Sequence, residues 1–402
     1  MKILFLTLKY PYAEVAGGHR IVYQRIRYLK ESGHRVGLIS FITDETPEEI
    51  DSLRPLLDEL HLIPHPHRNI WTRIFHDYLM FFERPAVFWK VFSREMMEKT
   101  GEVVEKGRYD VVISEFSEMG QYLYKNPYLS AVHKIMSCHR CLTASYEKYQ
   151  NMHEVYWRLY YKSLPQMRIL RQYEFNMYRS ADRVLVLTPQ DRFTMQYYAQ
   201  DLAVSIAPSG VDIDYLKNTP AFEKQQIVLM TGYMMDPANE DGAKWFVNHV
   251  WPELKKNHPE LKFFIVGSSP SKVVKKLAQT DSQIVVTGEV PDLRPFRSKA
   301  AIFVSPVRLG SGIRIKVLEA MASGLPVVST SLGIEGIDAQ TGLNCMVADT
   351  PKMFIQSIEW LLTDKDLSSR LAKNAQELVA KKYALEDGMR RFEKIIKSVV
   401  EV

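Results

Sequence analysis

Cysteine is nearly absent. Cys138, Cys141 and Cys345 are the only three in 402 residues, which leaves no disulfide framework and no sign of an oxidising compartment. Cys138-His139-Arg140-Cys141 has the spacing of a redox dithiol or half a zinc site. A zinc site needs a second ligand pair and a redox motif needs a thioredoxin-like helix start, so the two read as buried thiols at a strand end. Long apolar runs are missing as well. The opening Met1-Lys2-ILFLTL stops at Lys9-Tyr10-Pro11, short of a signal peptide's core, and no stretch has the length to span a bilayer; the expectation is a cytoplasmic protein. No block of lysine or arginine occurs and the net charge is +5, which excludes a chain built to neutralise a run of nucleic-acid phosphates. Short-period repeats and low-complexity linkers are also lacking.

What is present is a globular composition, 46% hydrophobic and 25% charged, in a chain of 402 residues, long enough for two cores. Residues 2–8 read as a buried parallel strand, followed by a loop ending in Gly17-Gly18, a helix with Ile21, Ile26 and Leu29 on one face and Gly33 at its end, and a second strand over 35–42. Strands are expected again at 110–114, 133–137, 183–187 and 203–207, with one or two amphipathic helices over 145–180. After Pro208-Ser209-Gly210-Val211-Asp212 the alternation restarts, with strands at 226–231, 261–266, 283–287, 301–305 and 326–329 and helices at 240–256, 271–279, 314–323, 351–363 and 366–381. Two successive βα runs imply an α/β protein of two Rossmann-like, doubly wound domains, 1–207 and 208–383, followed by an amphipathic helix over 384–402.

The chemistry is concentrated in 304–330. A strand runs into Leu309-Gly310-Ser311-Gly312, and a helix follows that carries Arg314, Lys316 and Glu319 near its start. Small residues let backbone N–H groups approach a ligand, a helix N-terminus favours negative charge, and two cations stand beside it, so the pattern reads as an anion site. Glu319 suits ribose hydroxyls, as acidic residues do in dinucleotide folds. The competing reading is a solvated basic helix start with Glu319 in a surface ion pair; the G-x-G-x-x-G fingerprint itself is lacking, because Ile315 stands where its third glycine belongs.

From Ser311 to Ser329, around LEAMASGLPVVS, the chain resembles the signature of the retaining glycosyltransferases of family 4. The resemblance extends through ADRV at 181–184, IAPSGVDIDYL at 206–216, TGYMMDPANEDGAKWF at 231–246 and GEVPDLRPFRSKAAIFVSP at 288–306. It implies the GT-B architecture, two Rossmann-like domains facing across a cleft, with acceptor binding in the first, donor binding in the second and a last helix returning to the first. By that resemblance Arg314 and Lys316 hold the diphosphate of a UDP- or GDP-linked sugar, Glu319 the ribose, Gly310, Ser311 and Gly312 the transferred sugar, and Val290 lies near the base. Gly18, Gly232 and Gly267 complete the donor-binding set, and His139 lies beside the transferred sugar. No metal and no resident cofactor is implied, and the acceptor is a glycan or lipid-linked glycan of envelope polysaccharide synthesis.

Two departures stand out. Ser311 replaces the first glutamate of the family's Glu-x7-Glu, and GYMMDPANEDG lacks the usual Arg and Lys, which moves that duty to Arg314 and Lys316. A catalytically silent sugar-nucleotide-binding protein and a nucleotide-sugar epimerase are the alternatives. Among secondary candidates, His139 reads equally as a histidine satisfied at a strand end. His19 reads as the start of a solvated helix face, Gly17-Gly18 as a loop needing positive φ, and Glu335 as an exposed loop carboxylate. Asp212-x-Asp214 is read as no metal site. The aromatic and basic segment 70–92 reads as domain core covered by long basic side chains, with peripheral contact at the inner membrane face as the alternative.

Overall fold

The computed structural model describes residues 1–12, 18–68, 84–152, 157–217, 223–310 and 312–401, with backbone alone over 148–152, 157–165 and 217. The chain divides into two compact units, Met1–Pro208 with Met389–Val402, and Ser209–Gly388.

The first unit holds seven strands: β1 (Lys2–Thr7), β2 (Arg35–Ile42), β3 (Glu59–Pro64), β4 (Val111–Glu115), β5 (His133–Ser137), β6 (Arg183–Val186) and β7 (Val204–Ile206). They pair in parallel in the order β3-β2-β1-β4-β5-β6-β7. Alternation along each strand divides its side chains between two cores. Leu4, Leu6, Ile39, Phe41 and Val112 join one, while Ile3, Phe5, Val36, Leu38 and Ile113 join the other. Phe392, Ile396 and Val399 of the last helix, Leu385–Val400, belong to that second core.

In the second unit β8 (Ile227–Thr231), β9 (Lys262–Val266), β10 (Ile284–Gly288), β11 (Ile302–Ser305), β12 (Val327–Ser329) and β13 (Met346–Val347) pair in the order β10-β9-β8-β11-β12-β13, again all parallel. Both sheets reverse strand order once, between β1 and β4 and between β8 and β11. Outside the carboxyl ends of such a pair the connecting loops diverge and leave a crevice.

The expected strands are all present within a residue or two. β3 and β13 were not expected. The residues of β3 are mostly half-buried at the sheet edge and β13 has two residues, so neither carries a continuous apolar run. The single helix expected over 240–256 is two, Pro237–His249 and Trp251–Asn257. Pro252 has no N–H to extend the first and sits comfortably in the opening turn of the second.

Of the aromatic segment 70–92, residues 70–83 lie outside the described residues. In the remainder Phe88 is fully buried and the Arg84 guanidinium lies 3.5 Å from the Phe92 ring centroid; the guanidinium of Arg68, just before the segment, lies 4.6 Å from the Trp89 ring centroid. Among the described residues no helix is long and apolar enough to cross a membrane.

Candidate functional site

At the switch point of the second sheet, β8 leads into Gly232 and the helix Pro237–His249, and β11 leads into the Gly310–Gly312 turn and the helix Ile315–Ala322. Gly310 and Gly312 adopt φ of +89° and +91°, a region side chains other than glycine rarely enter, so both glycines are required by the turn. Ser311 lies outside the described residues. The Arg314 backbone caps the helix, and its guanidinium donates to Leu309 O at 3.2 Å.

Lys316 reaches across to the other helix and donates to Asn239 Oδ1 at 2.5 Å. Asn239 is held in turn by donating from Nδ2 to Tyr233 O at 2.8 Å. A Cβ on Gly232 would lie 2.8 Å from Asn239 Nδ2, and one on Gly267 would lie 1.8 Å from Gly232 O. The ends of β8 and β9 therefore approach as closely as they do because both residues lack a side chain. Gly232, Gly267, Gly310, Arg314 and Lys316 are thus one cluster at the carboxyl ends of β8, β9 and β11. Desolvation and the adjacent Arg314 push the Lys316 ammonium down to about 7, with Asp236 pulling the other way. An ammonium desolvated beside a guanidinium makes a site suited to an anion.

Glu319 is buried rather than exposed to solvent. It accepts from the guanidinium of Arg297, and the two side chains are only 11% and 2% exposed. That replaces the surface ion pair of the competing reading with a buried one. Glu335 is also corrected: it is half-buried, and Oε2 accepts from the Gly312 N–H at 3.2 Å, so a carboxylate stands at the same turn as the cations. Arg308, beside that turn, is paired in two-fold fashion with Asp241 at 3.0 and 2.8 Å. Val290 follows β10 and packs half-buried against the apolar cluster that includes Val266 and Phe303. Asp212 works as a helix cap, accepting from Tyr215 N–H at 2.9 Å.

His139 and Gly18 belong to the first unit, where they meet at the β1/β4 switch point. Arg25 is fully buried on the same helical stripe as Ile21, Val22, Ile26 and Leu29. Its Nη1 donates to both oxygens of Glu115 at 2.8 and 2.9 Å and to Ser137 Oγ at 2.8 Å. Glu115 Oε2 also accepts from His139 Nε2 at 2.8 Å. Burial alone would raise the Glu115 carboxyl; Arg25 and the His139 hydrogen bond outweigh it and hold it at about 2. Phe116, next in the chain, has φ +73°, a conformation that costs roughly 1–3 kcal/mol in a bulky residue and clusters at functional sites. Its ring lies 4.2 Å from His139 and 4.4 Å from His19.

Gly17 lies outside the described residues. Gly18 does not have the positive φ expected of the pair; it is required because a Cβ there would lie 2.7 Å from Phe116 Cε1 and 3.0 Å from His139 Nδ1. His19 is half-buried against Phe116 rather than on a solvated face, and desolvation with the neighbouring His139 and Lys9 holds its imidazole down at about 3. Cys138 and Cys141 are buried, and desolvation raises the Cys138 thiol to about 12 and the Cys141 thiol further, which leaves them inert.

Sequence reasoning missed Arg25, Glu115, Asn239 and Arg297. The signal for the first was an arginine inside an apolar helical stripe, which demands a buried carboxylate. Asn239 and Arg297 carried none, since each partner is 77 and 22 residues away respectively.

The profile of the family described as Glycosyltransferase Family 4 matches residues 15–215, and that described as Glycosyl transferases group 1 matches residues 225–364. The chain is 23% identical, over 98% of its length and 99% of the other's, to an uncharacterized 44.6 kDa protein in the cps region of Klebsiella pneumoniae. Among solved structures it matches sucrose-phosphate synthase from Thermosynechococcus elongatus with a TM-score of 0.72 at 17% identity, over 99% of both chains. It matches Anabaena HepE, solved with UDP and glucose, with a TM-score of 0.67 at 13% identity, over 99% of this chain and 100% of that one. At such identities the structural likeness is one of fold, and that fold is GT-B. With one profile spanning half of its length and the other most of the second unit, the chain belongs to the group 1, family 4 glycosyltransferases.

Proposed function

We propose that this glycosyltransferase moves a hexose-type sugar from a nucleoside diphosphate, UDP or GDP, to an acceptor hydroxyl with retention at the anomeric carbon, in the assembly of envelope polysaccharide. The observation that carries the reading is the juxtaposition of Arg314 and Lys316 at the Gly310–Gly312 turn, with Lys316 short of the negative charge that would keep it protonated. A bound diphosphate supplies that charge. As the sugar departs, charge builds on the leaving group, and preorganised donors of this kind contribute about 2.7–4 kcal/mol each to lowering a barrier. On this reading the same cations do the work of a divalent metal. The acceptor's proton passes to the leaving diphosphate on the face it vacates, so no carboxylate nucleophile is needed. The relative in the Klebsiella cps region supports the polysaccharide setting, and the HepE complex with UDP and glucose supports a UDP-linked donor. An acceptor of glycan or lipid-linked type fits that setting, at the cytoplasmic face of the membrane.

The test is a thermal-shift series with UDP, GDP and their sugars, repeated with a metal chelator. A ligand at 100 times its Kd stabilises by about 2.7 kcal/mol. A shift that disappears in Arg314→Ala, followed by transfer with retained anomeric configuration in the product's NMR spectrum, supports the reading. No shift with any nucleotide ends it.

A further inference from the structure

Large aromatic side chains are costly to leave in water, and neighbouring ones on a surface mark an interaction site. The helix Pro189–Tyr198 carries two, Phe193 and Tyr197, which are 74% and 72% exposed. They stand four residues apart and share one face of the helix. Met195, on the opposite side, is fully buried in a core of the first unit. The helix docks without either ring: Met195 anchors it, and Thr188 caps it by accepting from Asp191 N–H at 3.0 Å.

The surroundings carry charge of one sign. Arg192 is exposed beside Phe193. On the neighbouring helix, Trp157–Arg179, the Arg171 guanidinium lies 5.0 Å from the Tyr198 ring centroid, and that ring lies 5.2 Å from the ring of Tyr197. Arg168 and Arg171 are both exposed and three residues apart, on one face. The single acid of that helix, Glu174, is fully buried and accepts from the Leu142 and Thr143 N–H groups at 2.8 Å. The other nearby acids are engaged as well. Glu147 accepts from the Tyr198 hydroxyl, Asp191 from the Thr188 hydroxyl, and Asp201 pairs with Arg179.

Exposed rings flanked by arginines fit an anionic bilayer: the rings enter the boundary between headgroups and acyl chains, and the guanidiniums stay at the level of the phosphates. Two rings offer at most about 500 Å² between them, short of the about 800 Å² a side that a stable protein interface buries. A bilayer sets no such minimum, because its contacts add ring by ring and charge by charge.

We propose that the helix Pro189–Tyr198 is a lipid-docking surface, with Phe193 and Tyr197 inserted into an anionic bilayer and Arg168, Arg171 and Arg192 against the lipid phosphates. Only the use of this contact, holding the first unit beside a lipid-linked acceptor, rests on the transferase reading.

The test is sedimentation of the full chain with vesicles of phosphatidylglycerol and phosphatidylethanolamine, compared with phosphatidylcholine alone. The wild type is expected to bind the anionic vesicles, less tightly as salt rises, and to leave the neutral ones. Phe193→Ser with Tyr197→Ser alters an exposed face, so the melting temperature should stay at the wild-type value while binding falls at least about tenfold. Arg168→Gln and Arg171→Gln should each weaken binding about fivefold. In Phe193→Trp, brominated lipid should quench fluorescence that the wild type does not show. A wild type that ignores anionic vesicles overturns the proposal, and so does binding that survives the double substitution. Retention on soluble dextran sulfate without vesicle binding also overturns it, since the arginines then serve another polyanion. The vesicles hold neither donor nor acceptor. A negative result here leaves the transferase reading standing, and a failed nucleotide thermal shift leaves the vesicle result standing.

Discussion

Lys316 Nζ donates to Asn239 Oδ1 across 2.5 Å, linking the helix that follows β11 to the one that follows β8. The amide holds the ammonium in place without neutralising it. Desolvation and Arg314 then depress the ammonium to about 7 from an ordinary 10.5. A bound diphosphate reverses both the field and the proton loss.

Diphosphate affinity is therefore expected to weaken as pH rises past 7, by up to about tenfold per pH unit, because binding must first return a proton to Lys316. Titration calorimetry with UDP and GDP between about pH 6.5 and 8.5 at fixed ionic strength measures the slope. In Lys316→Met the slope and most of the affinity should vanish together. The sign for stability works against the site: between about 7 and 10.5 the unfolded chain holds a proton the folded site has released, so the destabilisation that Lys316 imposes on the ligand-free protein is greatest at low pH and shrinks as pH rises. Lys316→Met should unfold no earlier than the wild type at pH 7. An earlier transition in that variant would contradict the account.

The Arg297–Glu319 pair leads to a separation between stability and binding. Both partners are buried, so Glu319→Ala leaves a guanidinium uncompensated and should cost about 3–5 kcal/mol in chemical denaturation. Arg314 is half-buried at the helix start, and Arg314→Ala should cost far less stability while removing diphosphate binding. Equal losses of stability in the two variants would refute this division of labour.

At Gly18 an added methyl meets the edge of Phe116 at 2.7 Å and His139 Nδ1 at 3.0 Å. Neither ring is the free end of a flexible side chain. Gly18→Ala should therefore displace His139 and lower turnover at least about tenfold. Transfer kinetics check this, and unaltered kcat would be the contrary result.

The residues that follow one another in the chain were readable. Ile3 to Leu6 and Val228 to Met230 alternate between two cores because parallel strands are buried on both faces, and such strands appear in the sequence as short apolar runs. The Gly310–Gly312 turn with Arg314 and Lys316 was readable for the same reason: the glycines, the cations and the helix start lie within seven residues. Tertiary structure alone decided what each charge faces. Asn239 under Lys316, Arg297 under Glu319 and Arg25 behind Glu115 are partners brought in from 77, 22 and 90 residues away. The side chains carry no local periodicity that would announce such pairings, because a buried charge can be met from any neighbouring element and the sheet order determines which one. That order, β1 beside β4 and β8 beside β11, is what turned an apolar-stripe arginine and a strand-end glutamate into the support of a histidine.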